Sequence, residues 1–168
     1  SLYKQVFSCP PNYRHDIIRY IWKVIEISIF HYREVKMEDI KIVEYSHALA
    51  EKVSDMWSKS AEGWNGMSMA RTADTIIREH NNAHHLNVYL AVNPAGEVIG
   101  YCSLDKYTRD EGALYINLLN VRPDYHGKKV GKMLVLACVN RTVELGWPRL
   151  DLNTWPGNTK AVPLYKKC

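Results

Sequence analysis

Two hydrophobic periods alternate along this chain, and the switches between them mark its elements. Residues 1–15 carry no period and include Pro10-Pro11. Over 16–30, Ile25, Ile27 and Ile29 alternate like a strand within a stretch that also reads as a helix, so periodicity leaves both open. Residues 31–35 read as a short strand. From 37 to 57, Ile40, Val43, Ala50, Val53 and Trp57 recur near the helical period and predict one helix. A loop containing Gly and Ser covers 58–69, and a second helix is predicted over 72–80 with Thr72 as its N-cap.

Strands dominate next. Residues 87–92 lead into Asn93-Pro94-Ala95-Gly96, a turn signal, and 98–104 return as the second arm of a hairpin. Residues 113–121 are almost continuously apolar, as expected of a strand covered on both faces. After a polar turn, a helix runs to about Leu145, where Gly146 and Pro148 stop it. Residues 149–154 form a strand, and a last helix begins at Asn158. The predicted order is β-α-α-β-β-β-α-β-α, an α/β domain with a mixed sheet flanked by helices.

With 168 residues, the chain suits one domain. Its 46% apolar and 24% charged composition is that of a soluble protein, and the net charge of +4 comes from dispersed lysines and arginines rather than a basic patch. That balance favours an anionic small ligand over nucleic acid. Cys9, Cys102, Cys138 and Cys168 lie far apart, which suggests reduced thiols in a cytoplasmic protein rather than a zinc site or a disulfide framework. The apolar stretch at 16–30 is interrupted by Arg19, Lys23 and Glu26, so it reads neither as a membrane span nor as a signal peptide.

The strand, turn and helix at 113–145 carry the chemistry. A strand that ends in a glycine turn and opens a helix directs free amides and the positive end of a dipole at one point. Lys128, Lys129 and Lys132 add charge there, so phosphate or pyrophosphate is the expected ligand. A Walker-type loop is excluded, because Gly127 and Gly131 are one residue too close and Met133 replaces the metal-binding hydroxyl. A dinucleotide G-x-G-x-x-G is absent.

The same turn resembles the Gln/Arg-x-x-Gly-x-Gly/Ala signature of the GNAT superfamily of acyl-CoA N-acyltransferases, with His126, Lys129 and Gly131 at its three positions. Downstream, Asn158-x-x-Ala161-x-x-Leu164-Tyr165-x-Lys167 is similar to the family's Asn-x-x-Ala-x-x-Leu-Tyr-x-Lys segment. The resemblance covers residues 31–168 and leaves 1–30 as an N-terminal extension. It implies acetyl-CoA as cosubstrate and an amine, small molecule or peptide, as acceptor. Leu119, Asn120 and Val121 would offer backbone groups to the pantetheine and the thioester carbonyl. His126, Gly127, Lys128, Lys129, Val130, Gly131 and Lys132 would wrap the pyrophosphate. Asn158 would bond the pantetheine, and Tyr165 would protonate the departing thiolate.

Three departures qualify the picture. Lys129 stands where the family has glycine, and His126 where it has Gln or Arg. The positions of the usual glutamate base hold Tyr115 and Asn153. Amines have pKa values of about 10.4 and must lose a proton before attack; Glu111, Asp151 or a histidine, reached through water, could take it. An active transferase, a non-catalytic acyl-CoA sensor and an interaction domain stay open. The His80, His84 and His85 cluster reads as a polar helix end with no metal, and Trp57, Trp64 and Met67 either line the acceptor side or form a small apolar cluster. The family adds two strands after the Asn158 helix. This chain is therefore expected to be a fragment whose strand at 149–154 lacks its neighbour, the missing strands coming from later sequence or from a partner copy.

Overall fold

A computed structural model describes residues 3–6, 39–60, 70–83, 85–107 and 112–154. The expected strand at 31–35, the segment 16–30, His84, Glu111, Trp64, Met67, Asn158 and Tyr165 lie outside these residues. Strands β1 (Tyr3–Val6), β2 (Lys41–Glu44), β3 (His85–Val92), β4 (Val98–Lys106), β5 (Leu114–Val121) and β6 (Leu150–Thr154) form one mixed sheet, ordered β1-β6-β5-β4-β3-β2. Helices α1 (Ala50–Ser58) and α2 (Ala73–Asn82) cover one face, and α3 (Val130–Glu144) covers the other.

Several elements follow from local chemistry. Thr72 caps α2, its Oγ1 accepting the amide of Thr75 at 3.2 Å. Asn93 closes the β3–β4 hairpin by accepting the amide of Glu97 on its side chain at 2.9 Å and that of Gly96 on its carbonyl at 2.9 Å. Helix α3 ends as the Gly146–Pro148 signal predicts: the amides of Gly146 and Trp147 bond the carbonyls of Val143 and Thr142.

The single helix expected over 37–57 is a correction. Residues 41–44 form β2, paired antiparallel with β3, and the helix starts only at Ala50 after a short 3-10 turn at His47–Leu49. Ile42 and Val43 are adjacent and β-branched, so in a strand they fall on opposite faces. Ile42 packs on the α3 side and Val43 on the α1–α2 side. Tertiary pairing with β3 overrides a spacing that only mimicked helix.

The edge expected to be bare is also paired. Tyr3–Val6, from the segment read as an extension, lies antiparallel on β6 with Tyr3 opposite Thr154 and Val6 opposite Asp151. The backbone groups of β6 on that side thereby find partners.

Two contacts decide where α3 sits. Cys102 on β4 and Cys138 on α3 are both buried free thiols, with sulfurs 3.4 Å apart. Gly100 presents no side chain to the helix: a Cβ there would stand 2.9 Å from Leu134 Cδ1 and 3.2 Å from Val130 Cγ1. The first turn of α3 rests on that bare backbone. We expect Gly100→Val to lower stability by about 2 kcal/mol in urea denaturation, because overpacking outweighs the gain in strand propensity. A stability within about 0.5 kcal/mol of wild type would show that α3 can yield without cost.

Candidate functional site

Strand β5 is the centre of the site because its two neighbours treat its two ends differently. Along β4 it pairs throughout, but the register slips between Ser103–Leu118 and Leu104–Ile116, leaving Asn117 as a bulged residue. Along β6 it pairs in parallel only at Leu114–Leu150, Tyr115–Asp151 and Ile116–Leu152. Bulge and parting coincide. Among the described residues, no strand accompanies residues 117–121 on the β6 side, so that edge can receive an extended ligand as a strand would. The bulge also reverses the faces: Leu114 and Ile116 pack toward α3, whereas Leu118 packs toward α1 and α2.

Of the expected site residues, Leu119, Asn120 and Val121 lie on this unaccompanied length. The Asn120 side chain is engaged with α1's end, donating from Nδ2 to Ser60 Oγ at 2.9 Å, so only its backbone faces the question. Val121's carbonyl accepts from His126 Nε2 at 2.8 Å, which folds the turn back onto the strand.

The turn itself is braced from below. Arg122, buried, donates through Nε and Nη2 to both carboxylate oxygens of Asp124 at 3.1 and 2.6 Å, and this holds the Asp124 carboxyl below its usual range. Asn93 donates to the Tyr125 hydroxyl at 2.9 Å, and Lys128 lies over the Tyr125 ring at 4.6 Å. Gly127 has φ 78° with open space around it, and Lys129 has φ 64°, ψ 7°. Lysine thus adopts the left-handed backbone that the missing glycine would take easily, at a cost of about 1–2 kcal/mol. Lys129 precedes α3 and gives it no side-chain cap. The amides of Val130 and Gly131 in its first turn have no carbonyl a turn earlier to bond. His126, Gly127, Lys128 and Lys129 are exposed, and with the buried Val130 and the half-buried Gly131 and Lys132 they form one electropositive turn beside the open end of β5.

The other face holds a group of polar residues that sequence reasoning did not assemble. A cavity of about 150 Å³ is lined by Trp57, Glu79, His80, His85, Tyr101, Ser103 and Asn117, among others. Ser103 is fully buried, and its hydroxyl has no hydrogen-bond partner. His80 Nδ1 donates to the Ile76 carbonyl at 2.7 Å, so its Nε2 is left to accept the Tyr101 hydroxyl at 3.1 Å. Burial lowers the His80 pKa and raises that of Tyr101, which keeps this pair neutral. His85 Nδ1 meets Asp105 Oδ1 at 2.5 Å, across a β3–β4 pair that is itself next to a bulge. The only hint in the sequence was the histidine cluster near 80–85. Asp105, Tyr101 and Ser103 carried none, because their approach depends on strand register.

The other candidates for a base are placed differently. Asp151 is buried on β6, 3.0 Å from Arg149 Nε. Tyr115 stacks on Tyr107 with ring centroids 4.8 Å apart. Trp57 is both core and cavity wall, with Arg71 5.3 Å above its ring.

Comparison with known proteins agrees with this geometry. The acetyltransferase SG1711 of Sodalis glossinidius is 27% identical over 130 residues, which cover 76% of this chain and 84% of that protein. Among solved structures, the PaiA N-acetyltransferase of Thermoplasma acidophilum, in complex with coenzyme A, superposes with a TM-score of 0.59 at 18% identity, covering 77% of this chain and 87% of that one. An aminoglycoside acetyltransferase from an uncultured soil metagenomic sample gives 0.62 at 16% identity over 77% and 90%. Residues 49–168 match the Acetyltransferase (GNAT) family model. With that match spanning most of a chain whose β5 opens beside a glycine–lysine turn, the protein belongs to the GNAT family of acetyltransferases.

Proposed function

We propose that this acetyltransferase takes its acetyl group from acetyl-CoA and delivers it to an amine, a small molecule or a peptide, by direct attack on the thioester. The observation that carries the reading is the coincidence of the Asn117 bulge with the parting of β5 from β6, next to the uncapped start of α3. Bound acetyl-CoA supplies an activated acyl carbon and a thiolate leaving group. The chain's own residues bind and orient. The amides of Val130 and Gly131, with Lys128, Lys129 and Lys132 around them, suit a pyrophosphate. Leu119, Asn120 and Val121 suit an extended amide arm and, through a backbone amide, the thioester carbonyl. Asn158 is proposed to hold the pantetheine, and Tyr165 to give the thiolate its proton. The buried free thiols Cys102 and Cys138 suit a reducing compartment, and we place the protein in the cytoplasm.

Calorimetry with acetyl-CoA, followed by thiol release with a panel of primary amines, tests the whole reading; absence of both would end it. Gly131→Glu should abolish acetyl-CoA binding while leaving the circular dichroism spectrum intact, because the side chain and its charge block the amides. Unchanged affinity would remove the pyrophosphate from this turn. Lys129→Gly should keep binding and gain about 0.5–1 kcal/mol of stability, the relieved strain exceeding the extra entropy of glycine in the unfolded chain. A loss of stability in chemical denaturation would contradict the strain. Tyr165→Phe should lower kcat by about 10²-fold at most and leave acetyl-CoA affinity unchanged; wild-type turnover would assign Tyr165 to packing.

A further inference from the structure

We propose that His85, oriented by Asp105, is the general base that removes the proton from the acceptor amine. This rests on the acetyl-transfer reading and names the group for which the chain has no carboxylate at the usual positions. The argument begins with tautomers. A carboxylate oxygen can only accept, so the 2.5 Å contact to Asp105 Oδ1 fixes the proton of neutral His85 on Nδ1 and leaves the lone pair on Nε2. Among the described residues, Nε2 takes no protein partner. The neighbouring imidazole cannot do the same work. His80 Nδ1 is spent on the Ile76 carbonyl, its Nε2 is filled by Tyr101, and burial weakens it as a base.

Position supports the choice. His85 lines the cavity that also contains Asn117, the bulged residue where β5 opens. The same ring borders a neighbouring depression lined by Tyr45 and Asn87, which offers the captured proton a way out. Within the cavity, the buried hydroxyl of Ser103 has no partner and awaits a polar one. Glu79 at the rim, 3.5 Å from Arg71, adds a carboxylate that favours a cationic amine. The charged and titratable groups facing His85 are therefore Asp105 and Tyr101 from β4, Glu79 and His80 from α2, Arg71 before it, and Glu44, Tyr45 and His47 from β2 and the turn after it.

The step balances without a further reagent. The ammonium gives one proton to His85 Nε2, and the freed lone pair forms the C–N bond as the C–S bond breaks. The leaving sulfur keeps that bond's electron pair and takes the proton of Tyr165, in the role proposed for it; the second nitrogen-borne proton replaces the one Tyr165 gave, and His85 returns its own to solvent. Asp105 touches no reacting atom. It is a positioning residue that fixes the tautomer and stabilises the imidazolium.

Nitrogen-15 NMR of the histidine side chains in the unmodified chain should show His85 protonated on Nδ1. Asp105→Asn should disturb that signal, and Asp105→Glu should restore it in part. His85→Gln should lower kcat by about 10²–10⁴-fold with the amine that reacts fastest in the panel, and remove the acidic limb of the kcat/KM profile. Its acetyl-CoA affinity should stay within about twofold of wild type, since the cofactor turn lies elsewhere. Wild-type kcat in a folded His85→Gln protein, or an Nε2–H tautomer in the unmodified chain, would overturn the proposal. If the variant does not fold, the tautomer decides alone. Failure of the unmodified chain to bind acetyl-CoA would instead overturn the transfer reading, and calorimetry shows this before any variant is made.

Discussion

The parallel ladder between β5 and β6 ends at Ile116 opposite Leu152, while the sheet on the other side of β5 continues to Val121. A backbone amide or carbonyl left buried without a partner costs about 1–3 kcal/mol. Among the described residues no strand continues beside residues 117–121 on that side, so this edge is where the sheet can take up a further extended partner. The Asn117 bulge belongs to the same constraint, because the extra residue bends β5 where its neighbour leaves.

The bulge also divides labour between the faces of the sheet. Beyond it, Leu119 and Val121 join the α3 side, and Leu118 joins the α1–α2 side. The α3 face carries the turn proposed to hold the pyrophosphate, brought close by the missing side chain of Gly100 and braced by Arg122–Asp124 and Asn93–Tyr125. The α1–α2 face carries the cavity with its neutral His80–Tyr101 pair and its oriented His85–Asp105 pair. In the proposed function, an acyl-CoA lying where β5 and β6 part would offer its thioester to the cavity face while its phosphates rest against the turn before α3.

What could be read in the sequence was whatever depends on near neighbours. Thr72, the Asn93–Gly96 turn, the Gly146 stop and the 126–132 turn are local devices, and the structure places the first three as expected and gathers the fourth. Two kinds of feature resisted. The strand at Lys41–Glu44 is defined by pairing with β3, and Ile40 and Val43 carry a spacing that serves either period. The His85–Asp105 approach needs β3 and β4 in register, and bulges at either end of that pair make the register unreadable from spacing alone. A strand from 3–6 capping β6 is likewise non-local, joining the two ends of the described chain.

Lys129 stands where glycine was expected and still takes the left-handed backbone that glycine would. The α3 amides can point outward only if the chain turns sharply before Val130, and the turn uses two left-handed residues, Gly127 and Lys129. Glycine would satisfy the second position without strain, yet lysine occupies it and gives up about 1–2 kcal/mol. In the proposed function its return is a positive charge at the mouth of the pyrophosphate site, next to Lys128 whose own ammonium is drawn over Tyr125. At a surface position one such charge is worth up to about 1 kcal/mol toward an anion near a helix start. The exchange is close to even in energy. For a pyrophosphate held as proposed, it shifts part of the attraction from the backbone to a side chain, which would make this turn more sensitive to salt than one built from glycine.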